Sequence, residues 1–223
     1  MTINKKKILL DYLYKKKYMG FNYLKQFEIP QINKFNHALP FSLIELNEVV
    51  SNCNLCSLST NRKNILFGKG NENSDILFLG LSPSKYEDEC GELLTGNNGD
   101  MLINIIKNVL KIDINKVYIS NILKCISQKD DKNIEYHIKT CIPYLEQQIK
   151  IIKPKIIVVF GDAYKYILNN DKSLEEQRHK IHTYNDSQLI ITYHPSHLQR
   201  NPSLKKDVLE DLTKVKQIME SIT

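Results

Sequence analysis

From residue 76 onward, short apolar segments alternate with helix-like segments, and this alternation constrains the fold more than any other feature of the chain. The strand-like segments are residues 76–81, 116–122, 155–160 and 188–193. Uninterrupted apolar runs of this length are typical of parallel strands that are buried on both faces of a sheet. Helical spacing is found at about 98–111, 134–151, 162–170 and 203–221. We therefore predict a doubly wound α/β domain.

The first fifty residues differ from this pattern, and we expect them to form a helical extension ahead of a domain spanning residues 51–223. Residues 5–18 and 42–51 have the apolar spacing of helices, whereas residues 27–40 contain two prolines and little periodicity. No segment approaches the ~20 apolar residues that a membrane-spanning helix needs. The chain also begins without the pattern of a signal peptide, so we expect a cytoplasmic protein with no membrane partner.

Four of the five cysteines are spaced like metal ligands. Cys53 and Cys56 form a C-x2-C pair, and Cys125 and Cys141 follow with fifteen residues between them. In a reducing compartment such a set indicates a metal or iron–sulfur site rather than disulfides. Four thiolates suit structural zinc and a [4Fe–4S] cluster alike, and the spacing does not choose between them. Buried cysteines without a ligand are the alternative, and we expect Cys90, which has no paired neighbour, to take no part.

The lysine-rich composition gives the chain a net charge of +6. Such a charge favours contact with nucleic-acid phosphates, although a solvated lysine surface explains it almost as well. Nothing in the sequence requires more than one copy of the chain, so we expect a monomer.

Glycine and polar residues follow the predicted strands at their carboxyl ends, where doubly wound folds bind ligands. In strand order these residues are Gly80-Leu81-Ser82, Asn121, Gly161-Asp162 and His194. Glycine lets the backbone approach a ligand closely, asparagine offers a donor and an acceptor to a planar amide edge, and histidine stabilises a developing anion. Each residue also suits an ordinary turn or strand end, but their convergence on one edge indicates a binding site.

These residues, in this order, resemble the family 4 uracil-DNA glycosylases, the iron–sulfur branch of the uracil-DNA glycosylase superfamily. The resemblance runs from about Cys53 to Thr213. Its motifs are Cys53-x2-Cys56, Phe67-Gly68-Lys69-Gly70-Asn71, Gly80-x-x-Pro83 with Glu87, Asp88, Gly91, Gly96 and Gly99, Asn121-x-x-Lys124-Cys125, Cys141, and Thr192-Tyr193-His194-Pro195-Ser196 followed by Leu198 and Arg200-Asn201-Pro202. The resemblance implies a three-layer α/β/α fold around a central four-stranded parallel sheet. It also implies that the four paired cysteines hold a [4Fe–4S] cluster and not zinc.

The same resemblance implies a reaction, the hydrolysis of the N-glycosidic bond of uracil in DNA, which leaves an abasic site for base excision repair. The base must first leave the helical stack. Asn121 would hydrogen-bond the edge of uracil that distinguishes it from cytosine, and His194 would donate to uracil O2. Gly80 would line the bound base.

The closing motif would contact the DNA. It contributes Ser196, Leu198 and Arg200. By resemblance Leu198 would be an apolar wedge at the vacated base, and Arg200 would engage a phosphate or the opposite base.

The chain departs from the family pattern around the first motif. Leu81 stands where the family carries a glutamate, and Leu94 stands where an aromatic residue stacks on uracil. Stacking of this kind is worth ~1–3 kcal/mol per base, so Leu94 should weaken base capture. Ser82, Glu87 and Asp88 are candidates for orienting the attacking water, with loop capping or solvation away from the DNA as the alternative for the two carboxylates. The small side chain of Ser84 leaves room for another base, such as hypoxanthine.

We therefore predict a monofunctional DNA glycosylase acting on uracil. No motif places a lysine as a Schiff-base nucleophile, so we expect no lyase activity. Tyr86 and Tyr193 are candidates for the aromatic contact, although either suits the core. The alternatives are a glycosylase for another deaminated base, and a catalytically weak DNA-binding iron–sulfur protein on the same scaffold.

Overall fold

The computed structural model describes residues 39–128 and 130–222, so the segment predicted as a helix at residues 5–18 lies outside the described residues. The strands of the sheet are β1 (Lys69–Gly70), β2 (Ile76–Gly80), β3 (Val117–Asn121), β4 (Ile156–Phe160), β5 (Ile181–Tyr184) and β6 (Ser187–Thr192). Their order across the sheet is β1-β3-β2-β4-β6-β5. The four central strands run parallel, which confirms the predicted parallel sheet.

Helices connect these strands, and those predicted near residues 98–111, 134–151, 162–170 and 203–221 are present, together with three short helices that the sequence pattern did not indicate, at 85–90, 174–178 and 195–200. The helices are α1 (Leu43–Ser51), α2 (Lys85–Cys90), α3 (Gly96–Asn104), α4 (Ile134–Ile152), α5 (Ala163–Leu168), α6 (Leu174–Arg178), α7 (Pro195–Arg200) and α8 (Lys205–Ile222). A π-helical turn, Ile105–Leu110, continues α3. Within the described parts of the chain, no helix has both the length and the apolar character needed to cross a membrane.

Alternate residues of the central strands pack into two separate cores, one on each face of the sheet. Leu77, Leu79, Ile157 and Val159 pack with residues of α1, α4 and α5. Ile76, Phe78, Ile156 and Val158 pack with residues of α3, the π turn and α8. Because side chains alternate across a strand, strands that are apolar throughout need a helical layer on both faces. The fold is therefore three-layered, α/β/α, as expected.

The sheet has six strands where four were expected. Both additional strands lie at the edges and run antiparallel to their neighbours, β1 to β3 and β5 to β6. Their residues lack an apolar run, because β1 has only two residues, both exposed, and the residues of β5 are exposed or half-buried. Hydrophobic patterning therefore could not reveal them.

The helix predicted at residues 42–51 is confirmed as α1, and it packs on the α/β domain. The Ser42 hydroxyl accepts a hydrogen bond from the Glu45 amide as an N-cap, and Leu43, Leu46 and Val50 enter the core shared with α4. The compact unit containing this helix begins at Leu39. The proposed division between residues 50 and 51 thus falls in the last turn of α1.

Candidate active site

A cavity of about 290 Å³ opens at the carboxyl edge of the sheet, where β2 lies between β3 and β4. The chain proceeds from β2 to β3 on one side and later returns to β4 on the other, so the cavity lies at a topological switch point. The residues predicted to catalyse the reaction or bind the base all line it, namely Gly80, Leu81, Ser82, Glu87, Leu94, Asn121 and His194. The structure therefore brings together residues that are up to 114 positions apart in the chain.

Asn121 ends β3 and faces Gly80, the last residue of β2, with which it is in register. A side-chain carbon on Gly80 would collide with Oδ1 of Asn121. The absence of a side chain on Gly80 is therefore what gives the Asn121 carboxamide its place in the cavity wall. Asn121 is only 9% exposed, so its amide edge is available mainly to a ligand inside the cavity.

His194 follows β6 and caps the amino end of α7. Its Nδ1 accepts a hydrogen bond from the Ser196 amide at 3.2 Å and lies 2.8 Å from the Ser196 hydroxyl. Because a backbone amide only donates, Nδ1 carries no proton and the neutral ring holds its proton on Nε2. Burial, followed by the nearby His197, lowers the pKa of His194 to about 4. At neutral pH the ring is therefore an uncharged donor through Nε2.

Glu87 holds the loop that forms one wall of the cavity. Its Oε2 accepts from the Ser84 amide at 2.9 Å and from the Ser84 hydroxyl at 2.8 Å, which completes a capping box at the start of α2. Its Oε1 accepts from the Leu94 amide at 2.9 Å. Leu94 has a left-handed backbone with φ of 66°, and Gly99 leaves the space that the Leu94 backbone occupies. Both carboxylate oxygens of Glu87 thus fix the loop that carries Leu94.

Ser82 is half-buried at the cavity and lies opposite the loop that follows β3. Its hydroxyl accepts a hydrogen bond from Ser127 Oγ at 3.0 Å. The preceding residue, Leu81, accepts from the Leu123 amide at 2.9 Å through its carbonyl oxygen. These contacts join the two strand-end loops on either side of the cavity.

Phe78 and Phe160 form an aromatic wall that the sequence analysis did not identify. Their rings stack at 5.9 Å between centroids with an interplanar angle of 10°, and Phe160 also meets the His194 ring edge-on at 6.2 Å. The aromatic candidates from the sequence lie elsewhere: Tyr193 is buried in the core with its hydroxyl on Glu175, and Tyr86 is 57% exposed and does not line the cavity. The alternation of β2 places Phe78 on the same face as Gly80, which is the signal that could have identified it.

The closing motif forms α7, and its side chains divide between the core and the solvent. Ser196 hydrogen-bonds to His194, as described above. Leu198 is 4% exposed and packs in the core on the α8 side of the sheet, whereas Arg200 is exposed. In this conformation Arg200 faces solvent and Leu198 does not.

Comparison with known proteins identifies the family. The sequence pattern of the uracil DNA glycosylase superfamily matches residues 67–213, which include the whole cavity. The chain belongs to this superfamily. It is 35% identical to a type-4 uracil-DNA glycosylase of Sulfurisphaera tokodaii over 79% of this chain and 84% of the relative. It is 34% identical to proteins of the same name from Saccharolobus solfataricus, over 77% and 84% of the two chains, and from Thermotoga maritima, over 79% and 96%.

In this uracil-DNA glycosylase family member, the four cysteines Cys53, Cys56, Cys125 and Cys141 line one small cavity, which shares no described lining residue with the cleft that holds His194. Cys53 and Cys56 follow α1, Cys125 follows β3, and Cys141 lies on α4. Within residues 39–128 and 130–222, no group of three or more His, Cys, Asp or Glu side chains is arranged to hold a metal ion. The four cysteines thus line one cavity without forming such a group in this structure. Cys90 is exposed at the end of α2, outside this cavity.

The surroundings of the cysteine cavity combine apolar side chains with donors to sulfur. Arg62 Nη1 donates to Cys125 Sγ at 3.3 Å, Arg62 Nη2 donates to the Cys53 carbonyl at 2.7 Å, and the Tyr144 hydroxyl donates to Cys53 Sγ at 3.8 Å. Burial raises the pKa of the Cys56 and Cys125 thiols, and it raises that of Cys141 to about 11. Burial in this cavity therefore favours the neutral thiols over the thiolates.

Proposed function

We propose that this protein is a monofunctional DNA glycosylase that hydrolyses the N-glycosidic bond of uracil in DNA and leaves an abasic site. The observation that carries the proposal is the pairing of the Asn121 carboxamide and a neutral His194 imidazole in one cavity. Membership of the superfamily and the names of the type-4 relatives support it.

Asn121 accounts for the choice of base. Uracil presents an N3–H donor beside an O4 acceptor, and a carboxamide complements both with its Oδ1 and Nδ2. Cytosine presents an acceptor and an amino donor at the same positions, so each hydrogen bond would be reversed. A buried amide that loses both partners is strongly disfavoured, which makes Asn121 selective for uracil.

His194 acts on the leaving group. As the bond between C1′ of the sugar and N1 of uracil breaks, the electron pair moves into the base and negative charge develops on O2. A neutral Nε2–H donor placed at O2 stabilises this charge, and one such donor is typically worth about 3–4 kcal/mol. The water that bonds to C1′ releases its proton to solvent, and the uracil anion takes up a proton after it leaves.

The remaining residues complete the proposed site. Ser82 orients the attacking water, since Leu81 carries no carboxylate and both oxygens of Glu87 hold the loop. In this proposal Glu87 acts by positioning Leu94. No lysine is among the described residues that line the cavity, which supports hydrolysis without a lyase step.

We propose that exposed Arg200 contacts the DNA backbone and that the chain's net charge of +6 assists the approach to DNA. Ser196 contributes by holding His194 in its tautomer. Insertion of Leu198 into the DNA helix requires α7 to move, because the leucine side chain is buried in the core of the domain.

We further propose that Cys53, Cys56, Cys125 and Cys141 hold a [4Fe–4S] cluster. The donor set fits the group, because four cysteines from three chain segments surround one cavity and Arg62 supplies a positive charge beside a sulfur. A bound cluster would supply a structural cross-link between the end of α1 and α4. Iron and sulfide analysis of anaerobically purified protein should find four of each per chain, and Cys141→Ser should lower both. A colourless, iron-free protein would overturn this assignment.

The function is tested with single- and double-stranded oligonucleotides that carry uracil, hypoxanthine, xanthine or a thymine mismatch. Abasic sites should form at uracil, and His194→Ala should reduce the rate by roughly 100-fold or more with the iron content unchanged. Cleavage at hypoxanthine alone would reassign the substrate. Absence of cleavage by folded, iron-loaded protein would leave a DNA-binding role.

A further inference from the structure

Lys124 is a fully buried lysine that lines the cysteine cavity and contacts Ser120 and Asn121, two residues of the proposed uracil site. Its side chain is 1% exposed, and its Nζ lies 2.7 Å from Ser120 Oγ, 2.7 Å from the Asn121 carbonyl oxygen and 2.5 Å from Gln148 Oε1. An ammonium has three N–H donors, and each of them has an acceptor here. Burial of a lysine is strongly disfavoured unless every donor is satisfied, so this arrangement requires a close fit of all three partners.

The partners of Lys124 are themselves fixed by further hydrogen bonds. Gln148, which is wholly buried on α4, donates through Nε2 to the Phe67 carbonyl at 3.0 Å, and Ser120 Oγ donates to the same carbonyl at 3.1 Å. The ammonium thus joins β3 to α4 and to the segment before β1. Such a network has little freedom to shift one member without disturbing the others.

Asn121 lies beyond the end of β1, so on that side of β3 no strand of the described residues holds it. The register pairs β1 only with Tyr118 and Ile119 of β3, so β1 does not extend along the strand as far as Asn121. On the opposite side β2 continues to Gly80. The Lys124 ammonium donates to the Asn121 carbonyl oxygen and fixes the peptide at the strand end.

We propose that Lys124 is a positioning residue for uracil recognition, which holds the main chain of Asn121 so that the Asn121 carboxamide meets the edge of the base. This inference rests on the proposed function. It extends that function to a residue that does not line the uracil cavity. A misplacement of about 1 Å at a reacting group can cost on the order of 100-fold in rate, so loss of the ammonium should have a large effect.

The test is a double-mutant cycle in the iron-loaded protein with Lys124→Met and Asn121→Ala. Methionine keeps much of the length of the lysine stem and removes the ammonium. We expect Lys124→Met alone to lower kcat for uracil excision by roughly 10- to 100-fold and to change KM much less. In the Asn121→Ala background the same substitution should have little further effect, because Lys124 acts through Asn121.

Two outcomes would overturn the inference. One is wild-type kcat in Lys124→Met, and the other is an equal reduction in both backgrounds, which would indicate a general structural role. Iron content and melting temperature are measured for every variant, because Lys124 adjoins Cys125. If Lys124→Met loses iron or fails to fold, Gln148→Met replaces it in the cycle, since it removes an acceptor of the ammonium from a position two helical turns beyond Cys141. Failure of the proposed function itself is distinct, because the wild-type protein would then excise no uracil.

Discussion

Acidification should destabilise the fold through His194, and the environment of the ring sets the size of the effect. Burial, with a smaller contribution from His197, lowers the pKa of His194 to about 4, whereas an unfolded histidine has a pKa of about 6.5. Between these values the unfolded chain binds more protons than the folded protein. The stabilising contribution is therefore complete above about pH 6.5 and is lost as the pH falls towards 4.

The magnitude follows from the gap between the two pKa values. At about 1.4 kcal/mol for each pKa unit, the full gap corresponds to roughly 3 kcal/mol, of which about 2 kcal/mol is lost by about pH 5. The assay is urea unfolding of the wild-type protein and of His194→Gln at about pH 7.5 and about pH 5. Glutamine is polar and does not titrate, so the contributions of all other groups cancel in the comparison.

The wild-type protein should lose about 2 kcal/mol more unfolding free energy between the two pH values than His194→Gln loses. Equal losses in both proteins would refute the reasoning, because His194 would then titrate at an ordinary pKa. The same pKa implies that kcat of the wild-type protein does not fall between about pH 8 and about pH 6 through protonation of His194.

Three substitutions test the walls of the cavity. Gly80→Ala should reduce uracil excision by roughly 100-fold with little change in melting temperature, since the new carbon displaces Asn121 Oδ1. A normal kcat in this variant would show that the position of the carboxamide is unimportant. Leu94→Phe should strengthen binding of uracil-containing oligonucleotides by about 1–3 kcal/mol through stacking, as measured by titration, and unchanged affinity would place the base away from residue 94. Glu87→Gln should lower both the unfolding free energy, by about 1–3 kcal/mol, and the activity, because a carboxamide has only one oxygen and cannot accept hydrogen bonds from both the Ser84 and the Leu94 amides. Loss of activity at unchanged stability would instead indicate that the Glu87 charge orients the water.

Sequence patterns sufficed for the parts of the structure that depend on burial and on strand ends. The four parallel strands are uninterrupted apolar runs, and their carboxyl ends necessarily meet at one edge of the sheet, so Gly80, Asn121 and His194 could be placed together before any coordinates. The edge strands and the hydrogen-bond partners of individual side chains could not be predicted from the sequence. The role of Glu87 depends on whether its carboxylate meets water or the Leu94 amide, and spacing alone does not distinguish these.

Lys124 and Leu198 show that residue type alone can predict the wrong location for a side chain, because the local backbone decides whether it is buried. A lysine is expected at the surface, yet the loop after β3 folds Lys124 back onto two acceptors of β3 and onto a third, Gln148, which α4 provides. A leucine in a DNA-contacting motif suggests a wedge, yet α7 places Pro195 and Leu198, three residues apart, on its buried side and Arg200 on its exposed side. In both cases the backbone conformation of a few residues decides whether the side chain is buried or exposed. The same short segments also hold the groups proposed to contact uracil, so the backbone that buries Lys124 and Leu198 is also the backbone that carries Asn121 and His194.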